Sequence, residues 1–462
     1  MVVPYNLLSD NFIKTRNITD EIKFEIKEVD AKDLLTPERI DLAAKIAYIR
    51  AVDTGFDIEF AREIYSKHIE AFSDGYFNEP GDDNKISIDD FFNEFDKLIN
   101  SIKEHGFDEN ISLVPVGKDN IILDGAHRTA CAIYFNKKIK IIKFDGFDFN
   151  FNYQYFRNKM LTEELLGYMA IDYARYSNSK LYCACIWPAS PVEKRQQVLD
   201  FINQNGKIVY ERDVQLDFEG LRNLMVQIYS HQDWIGTIKD QFIGVNGKVE
   251  PCYVPGVPCK VIMFEGGELD EVLKMKEDIR ELFNIGKHAL HISDSLEETQ
   301  LMASLLFSSS SILSLNFGKI TQNDKLYSSL KNIKATSNLL PFEYSLAFFG
   351  IKEIDDKTTI PVFKTENFRE YFVYDGFRLM AIDIVKKYLD KNDISLTNEE
   401  TKKLDRLLDE IKNQDEIRQN EYKGIMRIWK KEKRILKIKQ YAAKVAGKLG
   451  VYEFLHSRWK NK

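Results

Sequence analysis

The stretch ISLVPVGKDNIILDGAHRTACAIYFNKKIKIIKFDG, residues 111–146, decides the fold. A strand is predicted to end at Val116, a GKDN turn (117–120) follows, and a second strand covers Ile121–Leu123. The Asp124-Gly125 step leads into a helix from about His127 to Phe135, and Ile139–Phe144 returns as a strand. Just upstream, Ser87 is placed to cap a helix Ile88–His105, with Asp90 as its capping-box partner and Gly106 as its stop. The whole is one αββαβ block. At its centre, Gly125 supplies backbone freedom that a side chain would deny. A helix start presents unpaired N–H groups and the positive end of the macrodipole. His127 and Arg128 add donors at the same place, and Arg can grip a phosphate bidentately. The combination reads as a polyphosphate-binding corner. The competing reading is a capped helix with a surface arginine.

On the N-terminal side, EIKFEIKEVD (21–30) alternates like a strand. From Pro37 to Phe72 the period turns helical. Leu42, Ala43, Ile46, Ala47 and Ile49 line one helix; Ile58, Ala61, Ile64, Tyr65, His68 and Ile69 line the next. Residues 79–90 form a polar loop. On the C-terminal side, LYCACIW (181–187) opens a run of alternating elements: a helix 191–205, a strand near Lys207–Tyr210, a helix 216–229, a strand 259–264 and a charged helix Glu268–Phe283. Leu301–Phe317 holds six serines in 17 residues, too short and polar for a membrane span. It reads as a buried helix end followed by a core strand. The expected class is α+β, divided into 1–150, an α/β domain 178–318, a small α+β domain 319–394 and a basic helical tail 395–462.

The 462 residues carry a net charge of −7, which disfavours nucleic acid as the main partner. Between Lys423 and Lys462, however, 13 Lys or Arg face only Glu432 and Glu453, so the tail is +11 and the rest −18. A basic end on an acidic body suggests an anionic partner, with the inner face of a membrane as one candidate and packing on the acidic body as another. The five cysteines form no CxxC pair and no zinc spacing with the seven histidines. They read as reduced, buried thiols of a cytoplasmic protein. The start, MVVPYNLLSDNFIK, has no secretory signal pattern.

The block IILDGAHRTACAIYFNKKIKIIKF (121–144) resembles the ParB-like nuclease and sulfiredoxin superfamily. Asp124, Gly125, His127, Arg128 and Ala132 match its hhhDGxHRhxAA-like pattern, and Cys131 fills the first small-residue slot. The resemblance covers roughly residues 24–145, with an unusual helical insertion between about 37 and 87. It implies that Asp124, Gly125, His127 and Arg128 hold nucleotide phosphates of ATP or ADP, or of CTP. Sulfiredoxins carry their catalytic Cys just before His-Arg, where this chain has Ala126, so sulfinic-acid reduction is not expected. The basic helix-turn-helix of the partitioning proteins is missing too. The kinase-like members imply phosphoryl transfer to a small or sugar-linked hydroxyl, which needs a base and usually Mg²⁺. The base is sought among Glu28, Asp30 and Asp41, with Asp96 and Glu104 as further candidates. A non-catalytic nucleotide-gated scaffold is the alternative, and a nuclease is less favoured. The long ParB-like domain joined to others also resembles uncharacterised proteins of bacterial surface-polysaccharide clusters.

Two further segments attract attention. In GKHALHISDSLEET (286–299), Ser295 and Glu298 read as a capping box, which leaves Lys287, His288 and His291 as candidates for a second phosphate contact. The run NLLPFEYSLAFFGIKEIDDKTTIPVF (338–363) begins in helix-like fashion and resembles nucleotidyltransferases. It lacks their Gly-Ser, and its adjacent Asp355 and Asp356 would point to opposite strand faces, so it implies a degenerate site or a plain turn.

Overall fold

In the computed structural model the described residues are 3–316, without 55–57, 80–84, 145, 230–231, 237–241, 309–310 and 313–314, together with four short strands within 349–379. The N-terminal part begins with α1 (Asp10–Arg16) and β1 (Glu25–Asp30). The helices α2 (Asp41–Thr54), α3 (Ile58–Phe72) and α4 (Ile88–His105) follow. Ser87 and Asp90 make the expected capping box of α4, and Gly106 ends that helix at φ +78°. Then come β2 (Val114–Val116), α5 (Ala126–Tyr134) and β3 (Lys138–Lys143). The sheet order is β1-β3-β2, with β3 antiparallel to β1 and parallel to β2. A parallel pair needs a crossover, and α5 is that crossover. The DGAHR turn therefore sits where β2's hairpin feeds the crossover helix.

The expected strand Ile121–Leu123 is not a strand. Ile122 makes one antiparallel bridge to Val116, and the Gly117 N–H reaches the Ile121 carbonyl at 2.8 Å. The turn into α5 begins three residues after the Lys118–Asn120 helical turn, leaving no length for a ladder.

Helices α6 (Tyr153–Asn158) and α7 (Glu163–Tyr176) lead into the second sheet. It contains β4 (Leu181–Ile186), β5 (Lys207–Val214), β6 (Cys259–Glu265) and β7 (Leu290–Ile292) in the antiparallel order β5-β6-β4-β7. The helices α8 (Arg195–Asn205), α9 (Phe218–Ile228), α10 (Ile243–Val249), α11 (Leu269–Phe283) and α12 (Leu296–Leu306) surround it. β4 is buried on both faces. Its even positions Tyr182, Ala184 and Ile186 pack with Val198, Val272 and Ile279 from α8 and α11. Its odd positions Cys183 and Cys185 join the large core. That core runs without interruption from Leu34 through α2, α3, α4, α5 and α7 to Phe307.

Polar contacts bind the two parts as well. Arg50 on α2 grips Asp172 on α7 through two 2.9 Å hydrogen bonds, both side chains buried. The Tyr173 hydroxyl lies 3.0 Å from the Leu35 carbonyl and 2.6 Å from the Glu265 carboxylate. Lys207, at the start of β5, pairs with Glu38 at 3.1 Å.

Among the described residues after α12 the expected core strand is also absent, since residues 311–312 and 315–316 are helical. The serines decide this: Ser308 accepts the Ser311 N–H on its hydroxyl and the Ile312 N–H on its carbonyl, a helix start rather than a ladder. Phe349 and Gly350, read as part of a helical segment, open β8 (Phe349–Asp355), which pairs antiparallel with β9 (Thr358–Val362). A second hairpin joins β10 (Phe372–Tyr374) to β11 (Phe377–Leu379). Asp356 and the basic tail lie outside the described residues. Mostly antiparallel strands with helices packed around two separate small sheets make the chain α+β. No helix among the described residues is long and apolar enough to cross a membrane.

Candidate functional site

Gly125 stands at the N-cap of α5 with φ +82°, in the left-handed region, and no side chain caps the helix. The Arg128 guanidinium folds back over the turn, so that a Cβ on Gly125 would sit 2.8 Å from its Nη2. Asp124 fixes the turn from the other side. Its Oδ1 accepts the Gly125 N–H at 2.6 Å and its Oδ2 accepts the Ser9 hydroxyl at 2.7 Å, which ties in the cap of α1. Arg128 is anchored in turn by Nη1 on the Ser112 hydroxyl.

The turn opens into a cavity of about 560 Å³ that Gly125, Ala126, His127 and Arg128 line. Deep in its wall is a buried charged cluster. Arg39, from the Pro37–Arg39 turn, donates from Nε and Nη2 to the two oxygens of Asp41, at 2.8 and 3.0 Å. Lys45, one turn further along α2, donates to Asp41 Oδ2 at 2.8 Å and lies 3.1 Å from His68 Nε2. Burial alone would raise the Asp41 carboxyl, but the charges of Arg39 and Lys45 outweigh it and hold the group far below the usual carboxylate range. Burial likewise pulls Lys45 down, against the attraction of Asp41. His68 is fully buried and pushed well below its ordinary 6.5 by desolvation, then by Lys45. It is neutral, and Nε2 accepts from Lys45.

His127 faces the same space. Its Nε2 is 2.7 Å from the Tyr65 hydroxyl, and Phe95 meets its ring edge-on at 4.6 Å. Desolvation lowers the imidazole well below 6.5 and lifts the Tyr65 phenol well above 10. The phenol therefore donates to Nε2, and the proton of the neutral imidazole is on Nδ1.

Of the residues singled out in the sequence, the structure brings Asp41, Asp124, Gly125, His127 and Arg128 to one cavity. Glu28 is on β1, exposed, with Lys138 at 3.6 Å. Asp30 accepts the Lys32 N–H at 2.9 Å as a helical-turn cap. Asp96 accepts the Tyr48 hydroxyl at 2.8 Å, and Glu104 is exposed beside His105. None of these four lines the cavity. His291 is on β7 of the second sheet, and Lys287 and His288 are in the helical turn Gly286–His288 just before it; none of the three lines the cavity. His291 is held between Glu298 (Nε2, 2.8 Å) and the Tyr229 hydroxyl (Nδ1, 3.3 Å). His288 Nδ1 is 3.8 Å from Cys252 Sγ, and the Lys287 carbonyl accepts from Lys248. Ser295 caps α12, while Glu298 turns to His291 and to the Asp294 N–H, which explains the polar crowding there.

Sequence reading missed Lys45, Tyr65 and His68 as site residues, taking the latter two for an apolar face. The available signal was a lysine four residues after Asp41 inside the apolar run of α2. A buried lysine needs an acid one turn away. Cys131, one turn into α5, is fully buried, and burial pushes its thiol far up. All five cysteines are free and buried.

Magnesium would be held mainly by phosphates and water, with one or two carboxylates. Among the described residues no three His, Cys, Asp or Glu side chains converge on a metal position. The lining carboxylates Asp41, Asp124 and Glu79 are committed to Arg39 and Lys45, to the turn, and to Lys85 respectively. Glu94, half exposed with Lys97 at 2.7 Å on the same helix surface, is the one that can turn to an ion. No family model, curated protein or solved structure matches the chain.

Proposed function

We propose that this cavity binds a nucleotide through its phosphates and that the protein transfers a phosphoryl group from it to the hydroxyl of a small molecule or sugar. The start of α5 carries the reading, because its first-turn N–H groups have no side-chain cap and border the cavity beside Arg128. By formal count the lining is neutral, with Arg39, Lys45, Lys85 and Arg128 against Asp41, Glu79, Glu94 and Asp124. Attraction for an anion therefore rests on placement. The carboxylates are bonded away while the helix end stays open. The likeness of residues 121–144 to the ParB and sulfiredoxin superfamily points the same way. In transfer, Arg128 and the open helix start would steady the phosphates, with Lys45 adding its charge from within the wall, and Glu94 is the lining carboxylate placed to take the acceptor proton or Mg²⁺.

A nucleotide-gated scaffold without transfer is the second reading, and Asp41 favours it. With both oxygens bonded to cations and its pKa pressed down, Asp41 is a poor base. Calorimetric titration with ATP, ADP and CTP tests the common part. Arg128→Ala should weaken binding by about 1.5–3 kcal/mol, the value of a charge-assisted contact. Equal affinity of variant and parent, with both folded by circular dichroism, overturns the phosphate corner. Label transferred from the terminal phosphate to hydroxyl acceptors separates enzyme from scaffold.

A further inference from the structure

Residues 147–152 follow β3 outside any helix or strand and are pinned at both ends. The Lys118 N–H donates to the Phe147 carbonyl at 2.9 Å, and the Phe151 N–H donates to the Glu38 carbonyl at 2.8 Å. Phe149 and Phe151 lie together, ring centres 5.0 Å apart, and both line the cavity. Phe72, the last residue of α3, meets Phe151 edge-on at 4.8 Å from one turn beyond His68. The rings behind are held in place by cations, with Arg16 4.0 Å over Phe149 and Arg39 5.5 Å over Phe151. Phe72 itself keeps 38 % of its surface exposed although it lines the cavity. A large apolar ring left partly open on a cavity wall offers an unfilled contact. Phe151 is also the link between this wall and the charged cluster, since Arg39 touches both.

We propose that Phe72, backed by Phe149 and Phe151, is the stacking platform for the nucleobase of the nucleotide whose phosphates lie at Gly125. This rests on the phosphate-binding reading above. The cavity, at about 560 Å³, is in the range of small-molecule sites and has room for both ends of such a ligand. Every base has a π-face, so a platform of this kind binds purines and pyrimidines alike and adds affinity without choosing sharply between them.

Calorimetry on the full chain with ATP, CTP and inorganic tripolyphosphate tests the platform. ATP and CTP should bind within about 3-fold of one another, and about 10–100-fold more tightly than tripolyphosphate. Phe72→Ala should erase that margin and leave tripolyphosphate affinity unchanged, which also reports that the variant is folded. Phe72→Leu, which keeps apolar bulk but no aromatic face, should behave the same way. Tripolyphosphate binding as tightly as ATP to the parent protein, or Phe72→Leu retaining the full margin, overturns the platform and leaves the phosphate corner standing. No binding of any of the three ligands overturns the phosphate corner, and the platform falls with it.

Discussion

Asp41→Asn keeps the shape of the side chain and removes its charge, leaving two buried cations behind. Three contacts change: Arg39 Nε at 2.8 Å, Arg39 Nη2 at 3.0 Å and Lys45 Nζ at 2.8 Å. The side chains of Arg39 and Lys45 are only 5 % and 4 % exposed, so water cannot replace the lost carboxylate. Removing one partner of a buried ion pair costs about 3–5 kcal/mol. Urea unfolding followed by circular dichroism should show the midpoint fall by roughly 1–2 M at an unchanged m value near 3 kcal/mol/M. In the double variant Asp41→Asn, Lys45→Met one stranded charge is gone. It should lose about 1–2 kcal/mol less than the sum of the two single changes, as expected of neighbours in one network. A loss under about 1 kcal/mol for Asp41→Asn would refute the reasoning, because the carboxylate would then not be what neutralises the cluster. Unchanged nucleotide affinity with lowered stability would assign Asp41 to the scaffold of the cavity rather than to ligand contact.

Acid should act on the protein through its neutral buried histidines. His68 and His127 have folded pKa values well below 6.5, so between those values and 6.5 only the unfolded chain takes up the protons. Stability is therefore full above pH 6.5 and falls as the pH drops below it, by up to about 1.4 kcal/mol per pH unit for each group. Replacing His68 with Gln should reduce that slope by one such share in denaturant melts between pH 6.5 and 5. Cys131→Ala should leave ligand binding intact and cost about 1–2 kcal/mol, measured the same way, whereas loss of all binding in a folded variant would make the thiol functional. For the basic run 423–462, the full chain should sediment with anionic vesicles at low salt and release at high salt, while a chain ending near Glu421 should not sediment. Failure of the full chain to sediment even at low salt would assign the run to the fold or to a protein partner.

Sequence periodicity was most informative where one local rule governs. The α4 cap follows from Ser87, Asp90 and Gly106 alone, and the turn at Gly125 from an Asp-Gly step between apolar runs. It failed where a neighbour in space decides. Ile121–Leu123 is apolar enough for a strand, yet the early turn into α5 leaves it only a bridge. The serines after α12 carried a cap that an apolar reading of the segment concealed. Of the cavity lining, Asp124 through Arg128 were legible as one cluster because they are contiguous. Tyr65 and His68 were not, because an aromatic or imidazole on a helix stripe looks the same whether it meets core or cavity. Only the packing of α3 against α2 and α5 reveals His127 and Lys45 as their partners.

The absence of a seam between the first sheet and the second has an evolutionary consequence. Recombination spreads a domain from gene to gene only if the piece survives when cut out. A fragment ending at residue 150 would leave Arg50 buried opposite a missing Asp172, and the apolar side of α2 without α7. Such a piece does not travel alone. Inheritance of the α5 turn in this form therefore requires at least α7 to come with it, and a relative that lacks α7 should carry something other than a buried arginine at the position of Arg50.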